Sequence, residues 1–236
     1  MPRAIGAIHG DEMGNLTTIA NVKTLLQISD TSQDSILSLL IGSVSAQIES
    51  YCGRSFGYAD YDEILASNNR QLLQVNQWPI KKITFIKKSG NTLVAGQDYQ
   101  TYSQYLNAGQ IYRGSGWTGS SWVRGLTADP YTGEFIYEVS YSAGYVLPGT
   151  ASPTPPPAID PLPQDIQFAA MSMVSKAYGL INSGNLGENL SSIKEGGLAY
   201  SWETAKNIPP ELFQITAGMP IQFAQLLNPY RKVAIA

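Results

Sequence analysis

Residues 34–54 read DSILSLLIGSVSAQIESYCGR, and the fold is decided here. Leu37, Ile41, Val44, Ile48 and Tyr51 step by 4, 3, 4 and 3. On an α-helix of about 3.6 residues per turn, that spacing draws one apolar stripe. Gly53 follows where a helix end tolerates left-handed backbone, so the helix stops there. Upstream, Thr31-Ser32-Gln33-Asp34 has the shape of a capping box, an acid three residues after a hydroxyl. Ser29 to Asp34 is a polar break. Before it, a helical pattern begins at Leu16-Thr17-Thr18, where a threonine is a good N-cap, with Ile19, Val22, Leu25 and Leu26 on one face. Residues 1–15 show no period and read as a flexible N-terminus.

Outward on the other side the period changes from helical to alternating. Leu73-Gln74-Val75, Ile83-Thr84-Phe85-Ile86 and Phe135 to Tyr141 read as strands, the last with period-2 alternation. Ser89-Gly90-Asn91 is a hairpin turn between Ile83–Lys88 and Leu93-Val94. Gly114 to Gly125 is a Gly/Ser/Trp loop. The block 56–147 is therefore an inserted, mostly antiparallel β unit. Residues 148–163 hold seven prolines and read as a semi-rigid linker. A helix follows with Ile166, Ala170, Met173, Ala177 and Leu180/Ile181 on one face. Gly184 to Gly197 is a polar loop, with a hairpin through Ser192–Lys194 and Leu198–Trp202. A last helix starts near Pro220 and carries Ile221, Phe223, Ala224, Leu227 and Tyr230. The fold class is α+β: helices at 16–55 and 164–236 form a small bundle around the inserted β unit. None of these helices has an apolar face large enough to stand alone.

The composition bounds the chemistry. The 236 residues are 14% charged, against about 25% in ordinary globular proteins. Such a chain covers itself with neutral polar groups or buries surface against other subunits. Net charge is −3, and no basic run exceeds two residues: Lys81-Lys82, Lys87-Lys88 and Arg231-Lys232. Tight DNA binding neutralises phosphates with Lys and Arg, so a firm grip on nucleic acid is not expected. One cysteine, Cys52, excludes an internal disulfide and reads as a buried structural thiol. One histidine, His9, lies in the aperiodic terminus. A zinc site needs several ligands, and a Ser-His-Asp triad would have to use His9. No cofactor, metal site or catalytic residue is expected, and the chain does not read as an enzyme. Met1-Pro2-Arg3 opens no secretory signal, and no apolar run is long enough for a membrane span. This predicts a cytoplasmic setting until assembly.

Three motifs invite sharper readings. Gly114-Ser115-Gly116-Trp117-Thr118-Gly119 matches G-x-G-x-x-G literally, but no helical stripe follows, so a loop is the reading. Asp60, Asp62 and Glu63 cluster, as Mg²⁺ ligands or acid/base pairs do; Tyr58 to Asp62 reads instead as a solvated turn. Tyr99, Tyr102, Tyr105, Tyr112, Tyr131, Tyr137, Tyr141 and Tyr145, with Trp117 and Trp122, suit a β core, a protein interface or a sugar-binding face.

Several short signatures occur in one order. Ile48-Glu49-Ser50-Tyr51-Cys52-Gly53-Arg54 ends the second helix. Trp78-Pro79-Ile80-Lys81-Lys82-Ile83 opens a strand, followed by Gly90-Asn91, Asp98-Tyr99 and Gly116-Trp117. Val139-Ser140-Tyr141-Ser142-Ala143-Gly144-Tyr145 closes the β unit. Pro163, Ala169/Ala170 with Tyr178, and Leu226-Leu227-Asn228-Pro229-Tyr230-Arg231 complete the series. This order, over residues 16–231, resembles the head–tail connector (adaptor) family of tailed bacteriophages, in the subgroup with an inserted β unit. The linker at 148–163 and the stretch from Gly184 to Pro220, with Ile208-Pro209-Pro210, are longer than the family pattern.

The resemblance implies a structural subunit of the virion neck, assembled in the host cytoplasm. It implies a ring of about a dozen copies below the portal, joining the DNA-filled capsid to the tail around a channel. Partners would be other copies, the portal protein, a tail-side neck protein, and double-stranded DNA that passes without tight binding. No membrane partner is implied. The positions carried over are Ile48, Glu49, Tyr51, Gly53, Arg54, Asp98, Tyr99, Tyr141, Gly144, Tyr145, Leu227, Tyr230 and Arg231. Trp117, Trp122, Tyr230, Arg231 and Lys232 are candidates for a partner interface. Other virion structural proteins, or a β-rich glycan-binding adhesin, are the alternatives.

Overall fold

The computed structural model describes residues 14–66, 69–88, 90–118, 136–150, 159–182, 215–216 and 219–232. It is α+β and divides into two compact units. One is Arg54–Pro161; the other joins Met13–Gly53 to Leu162–Ala236.

In the helical unit, α1 (Ile19–Leu26) is capped by the Thr18 hydroxyl, which accepts from the Asn21 N–H at 3.2 Å. Val22 is its buried residue, while Leu25, expected on the same apolar face, is 46% exposed. The next helix, α2 (Asp34–Cys52), buries Leu37, Ile41, Val44, Ile48 and Tyr51, the expected stripe. The capping box is absent. Gln33 holds the N-cap position without a side-chain bond, and Asp30 instead accepts from the backbone and hydroxyl of Ser32. An acid two residues ahead of a donor closes a tight Asx turn, which displaces the box. Asp34, in the first turn, sits near the positive end of the helix dipole and pairs with Lys23 at 2.8 Å. Gly53 ends α2 at φ 67°. The long helix α4 (Gln164–Asn182) packs on α1 and α2, and α5 (Ile221–Leu227) packs on α4. As expected, α5 starts next to Pro220, which itself ends the short strand β8 (Met219–Pro220), paired with β7 (Ile215–Thr216). Ile166, Ala169, Ala170, Met173 and Val174 from α4, with Phe223, Ala224 and Leu227 from α5, are buried.

The other unit is built on a four-stranded antiparallel sheet. Its order is β1 (Ala59–Ala66), β6 (Ile136–Ala143), β3 (Ile80–Lys88) and β4 (Asn91–Thr92). Strand β6 is central, and its alternating Tyr137, Val139, Tyr141 and Ala143 are all buried, as period 2 requires for a strand with one face on a core. A smaller pair, β2 (Leu72–Gln74) with β5 (Gln110–Tyr112), completes the core through Leu73, Val75 and Ile111. One turn of helix, α3 (Ser103–Leu106), precedes β5.

Three local readings change. Tyr58 to Asp62 is no turn: Ala59–Ala66 is an eight-residue strand paired along its length with β6, Ala59 against Ala143 and Ala66 against Ile136. The hairpin after β3 pairs Asn91 and Thr92 with Lys88 and Lys87, and Leu93 N–H then donates to the Ile86 carbonyl at 2.7 Å. The strand read at Leu73–Val75 begins and ends one residue earlier. The expected flexible stretch up to Met13, Trp122, Tyr131, and the loop and hairpin expected over 184–202 lie outside the described residues.

Candidate functional site

The two helical signatures, nearly the whole chain apart, meet at the end of α2. Tyr51 is 8% exposed, and its phenol donates to Asn228 Oδ1 at 2.9 Å. The Arg231 guanidinium lies 4.8 Å from the centre of the Tyr51 ring, a cation–π contact. Tyr230 donates to Asp165 at 2.6 Å, tying the C-terminal turn Asn228–Tyr230 to the start of α4. Lys232 N–H donates to the Cys52 carbonyl at 2.8 Å, one of the carbonyls left over at a helix end. Ile48, Cys52 and Leu227 are buried beside them, and Glu49 is half-buried. The residues Ile48, Tyr51, Gly53, Leu227, Tyr230 and Arg231 are thus brought into one closure of the helical unit. Arg231 and Lys232 remain exposed at its rim, and Tyr230 is half-buried.

In the β unit the carried-over positions are mostly internal. Arg54 is 4% exposed. Its guanidinium lies 3.8 Å from the centre of the Trp78 ring and 5.0 Å from that of Phe56, and it donates to the Trp78 carbonyl. Asp98 accepts from Val94 N–H at 2.8 Å and closes a turn, which sets Tyr99 into the core. Gly144 has φ +113°, and a Cβ there would run into the Gly57–Tyr58 backbone. That approach lets Tyr145 N–H bond the Phe56 carbonyl at 2.8 Å and lets Tyr58 N–H bond the Tyr145 carbonyl at 2.9 Å.

Trp117 is not a partner-facing residue. It is fully buried, donates from Nε1 to the Ile111 carbonyl at 2.9 Å, and meets Tyr137 edge to face at 5.0 Å. The Gly- and Ser-rich run from Gly114 to Gly125 argues for an open loop, but ring burial contributes more than loop freedom. The tyrosines divide: Tyr99, Tyr137 and Tyr141 are core, whereas Tyr102 is 50% exposed and clusters with half-buried Tyr105 and Tyr112.

Two acids of the cluster, Glu63 and Asp60, are bonded within the β unit. Glu63 accepts from the Asn76 backbone and side-chain amides at 3.1 and 2.9 Å and from the Tyr141 hydroxyl. Asp60 accepts from Ser142 at 2.5 Å. Burial pushes the Tyr141 phenol far above its usual range, and the Glu63 charge pushes it further. The sequence offered no signal for this, since Asn76, Glu63 and Tyr141 come from three separated segments. Among the described residues no group of His, Cys, Asp and Glu could hold a metal ion, and no helix is long and apolar enough to cross a membrane.

A family model described as "Head completion protein" matches residues 15–233. No curated protein matches the chain. Solved structures that resemble it include a chain of the neck of an empty GTA particle computed with C6 symmetry. That chain is 12% identical, with 100% of this chain and 98% of that one covered, at a TM-score of 0.49. A chain of the virion of a native gene transfer agent particle is also 12% identical, covering 99% and 97%, at 0.49. A chain of the neck of a native GTA particle computed with C12 symmetry is 14% identical, covering 97% and 95%, at 0.44.

Proposed function

Because this chain belongs to the head completion protein family, a structural component of the virion and not an enzyme, we propose that it is a head–tail connector subunit. In this reading, copies form a ring of about a dozen below the portal. The ring joins the filled capsid to the tail and leaves a channel for the genome. Assembly takes place in the host cytoplasm, and the partners are the portal protein and a tail-side neck protein. The match over residues 15–233 carries the proposal, because it spans both units.

The charge distribution supports free passage of DNA. The chain is net acidic, and its densest basic pairs are partly engaged internally. Lys81 pairs with Asp160 at 2.6 Å and Lys87 with Glu138 at 3.5 Å. Arg231 lies over Tyr51. A net-acidic chain with no basic run longer than two residues offers phosphates little grip, so DNA would slide rather than stick. The exposed rim of Arg231 and Lys232 is the candidate contact of the helical unit with a neighbouring ring.

Electron microscopy of lysates from a phage lacking this gene tests the reading. Tailless heads accompanied by separately assembled tails are expected. Complete tailed particles would reject a role at the neck.

A further inference from the structure

Charge is scarce in this chain, yet two strands of the sheet collect it by sign. Strand β1 carries Asp60, Asp62 and Glu63 and no cation, while β3 carries Lys81, Lys82, Lys87 and Lys88 and no acid. The two strands flank β6. Asp60, Asp62 and Ile64 of β1 are exposed, and Tyr61 and Leu65 between them pack on the core. On β3, Lys82 is exposed and its neighbour Ile83 packs on the core. Asp60, Ser142 and Lys82 stand in one register row across the three strands, and Asp60 accepts from the Ser142 hydroxyl at 2.5 Å. The β1 acids and Lys82 therefore share one outer face, with small serines of β6 between them.

Two of the lysines are matched within the unit, Lys81 by Asp160 and Lys87 by Glu138. Asp62 and Lys82 are not: both are exposed, and neither makes an ion pair among the described residues. Two strand spacings, about 10 Å, separate the β1 acids from Lys82. That is about one Debye length at ordinary ionic strength, so solvent largely screens them from each other. Acid and base also lie at opposite margins of the sheet. Among the described residues no strand pairs beyond β1, nor with residues 80–85 on the far side of β3. The chain thus carries both halves of a charge-complementary contact on two unlike surfaces. A second copy matches both at once, and unlike surfaces join head to tail, the arrangement that closes rings. Ile64, 56% exposed beside the acids, adds apolar area to that contact. We propose that the Asp60 and Asp62 margin of one copy docks on the Lys82 margin of the next. The inference rests on the connector reading and deepens it by naming a surface between copies.

The test adds full-length chain to heads and tails purified from a deletion lysate and counts completed particles. Asp62→Lys and Lys82→Glu, each alone, are expected to cut completion at least about tenfold, because like charges then face each other between copies. Both side chains are exposed, so melting temperatures are expected to match wild type. An equal mixture of the two variants is expected to restore completion, since copies that alternate around the ring again meet opposite charges. Misfolded chains could not rescue one another in this way. Completion by both single variants within about twofold of wild type overturns the proposal. So does a mixture no better than either variant alone, which would give the two margins to other proteins of the particle. Failure of wild-type chain to complete the particles at all would instead reject the connector reading, and this contact with it.

Discussion

The Tyr51 hydroxyl donates to Asn228 Oδ1 at 2.9 Å across 177 residues of chain. The bond joins the last turn of α2 to the turn that follows α5, so the two ends of the helical unit close on one another. Removing only the donor, with Tyr51→Phe, is expected to cost about 1 kcal/mol. Tyr51→Ala also removes the ring beneath Arg231 and is expected to cost about 3–5 kcal/mol. Urea denaturation of the two variants measures the difference; equal costs would mean that the ring contributes nothing, and a cost-free Tyr51→Phe that the bond contributes nothing.

Gly144 and Gly179 make a matched pair. Alanine at 144 meets both a left-handed φ of +113° and the Gly57–Tyr58 backbone, whereas at 179 a Cβ enters open space on α4. Gly144→Ala is expected to lose about 3 kcal/mol or more, from strain and overpacking. Gly179→Ala is expected to gain up to about 1 kcal/mol from helix propensity. Thermal melts of both variants check the opposite signs.

Trp117 tests the burial of the Gly/Ser/Trp segment. Trp117→Ala removes a fully buried ring, its bond to the Ile111 carbonyl and its contact with Tyr137. A loss of about 3–5 kcal/mol is expected. Loss of partner binding with stability unchanged would return Trp117 to an interface.

Stability at high pH follows from the core tyrosines. Burial raises the phenols of Tyr99, Tyr137 and Tyr141 above their usual range, most of all at Tyr141 beside Glu63. Their folded forms hold protons that the unfolded chain releases near pH 10, at about the free tyrosine value. The stabilisation is therefore complete below about pH 10 and declines above it. Denaturation midpoints taken upward from neutral pH are expected to fall through that range, less steeply in Tyr141→Phe. A flat profile would show that these phenols ionise alike in both states.

The parts legible in the sequence are those whose signal is local and periodic. The α2 stripe from Leu37 to Tyr51, the Gly53 stop and the alternation of Tyr137 to Tyr141 follow from side-chain spacing alone, because helix and strand periods decide which residues share a face. The two signatures ending at Arg54 and Arg231 were legible as motifs, but the pairing of Tyr51 with Asn228 and Arg231 was not. Where the sequence misled, a long-range contact outweighed the local one. Asp60, Asp62 and Glu63 resemble a solvated turn until β6 pairs with them and Asn76 and Tyr141 satisfy Glu63. Trp117 resembles a loop tip until the Ile111 carbonyl and the Tyr137 ring enclose it. The sequence by itself determined the elements and their apolar faces. The tertiary structure alone decided which polar groups are satisfied, because a carboxylate drawn partly out of water, such as that of Glu63, is stable only when the chain brings its partners from a distance.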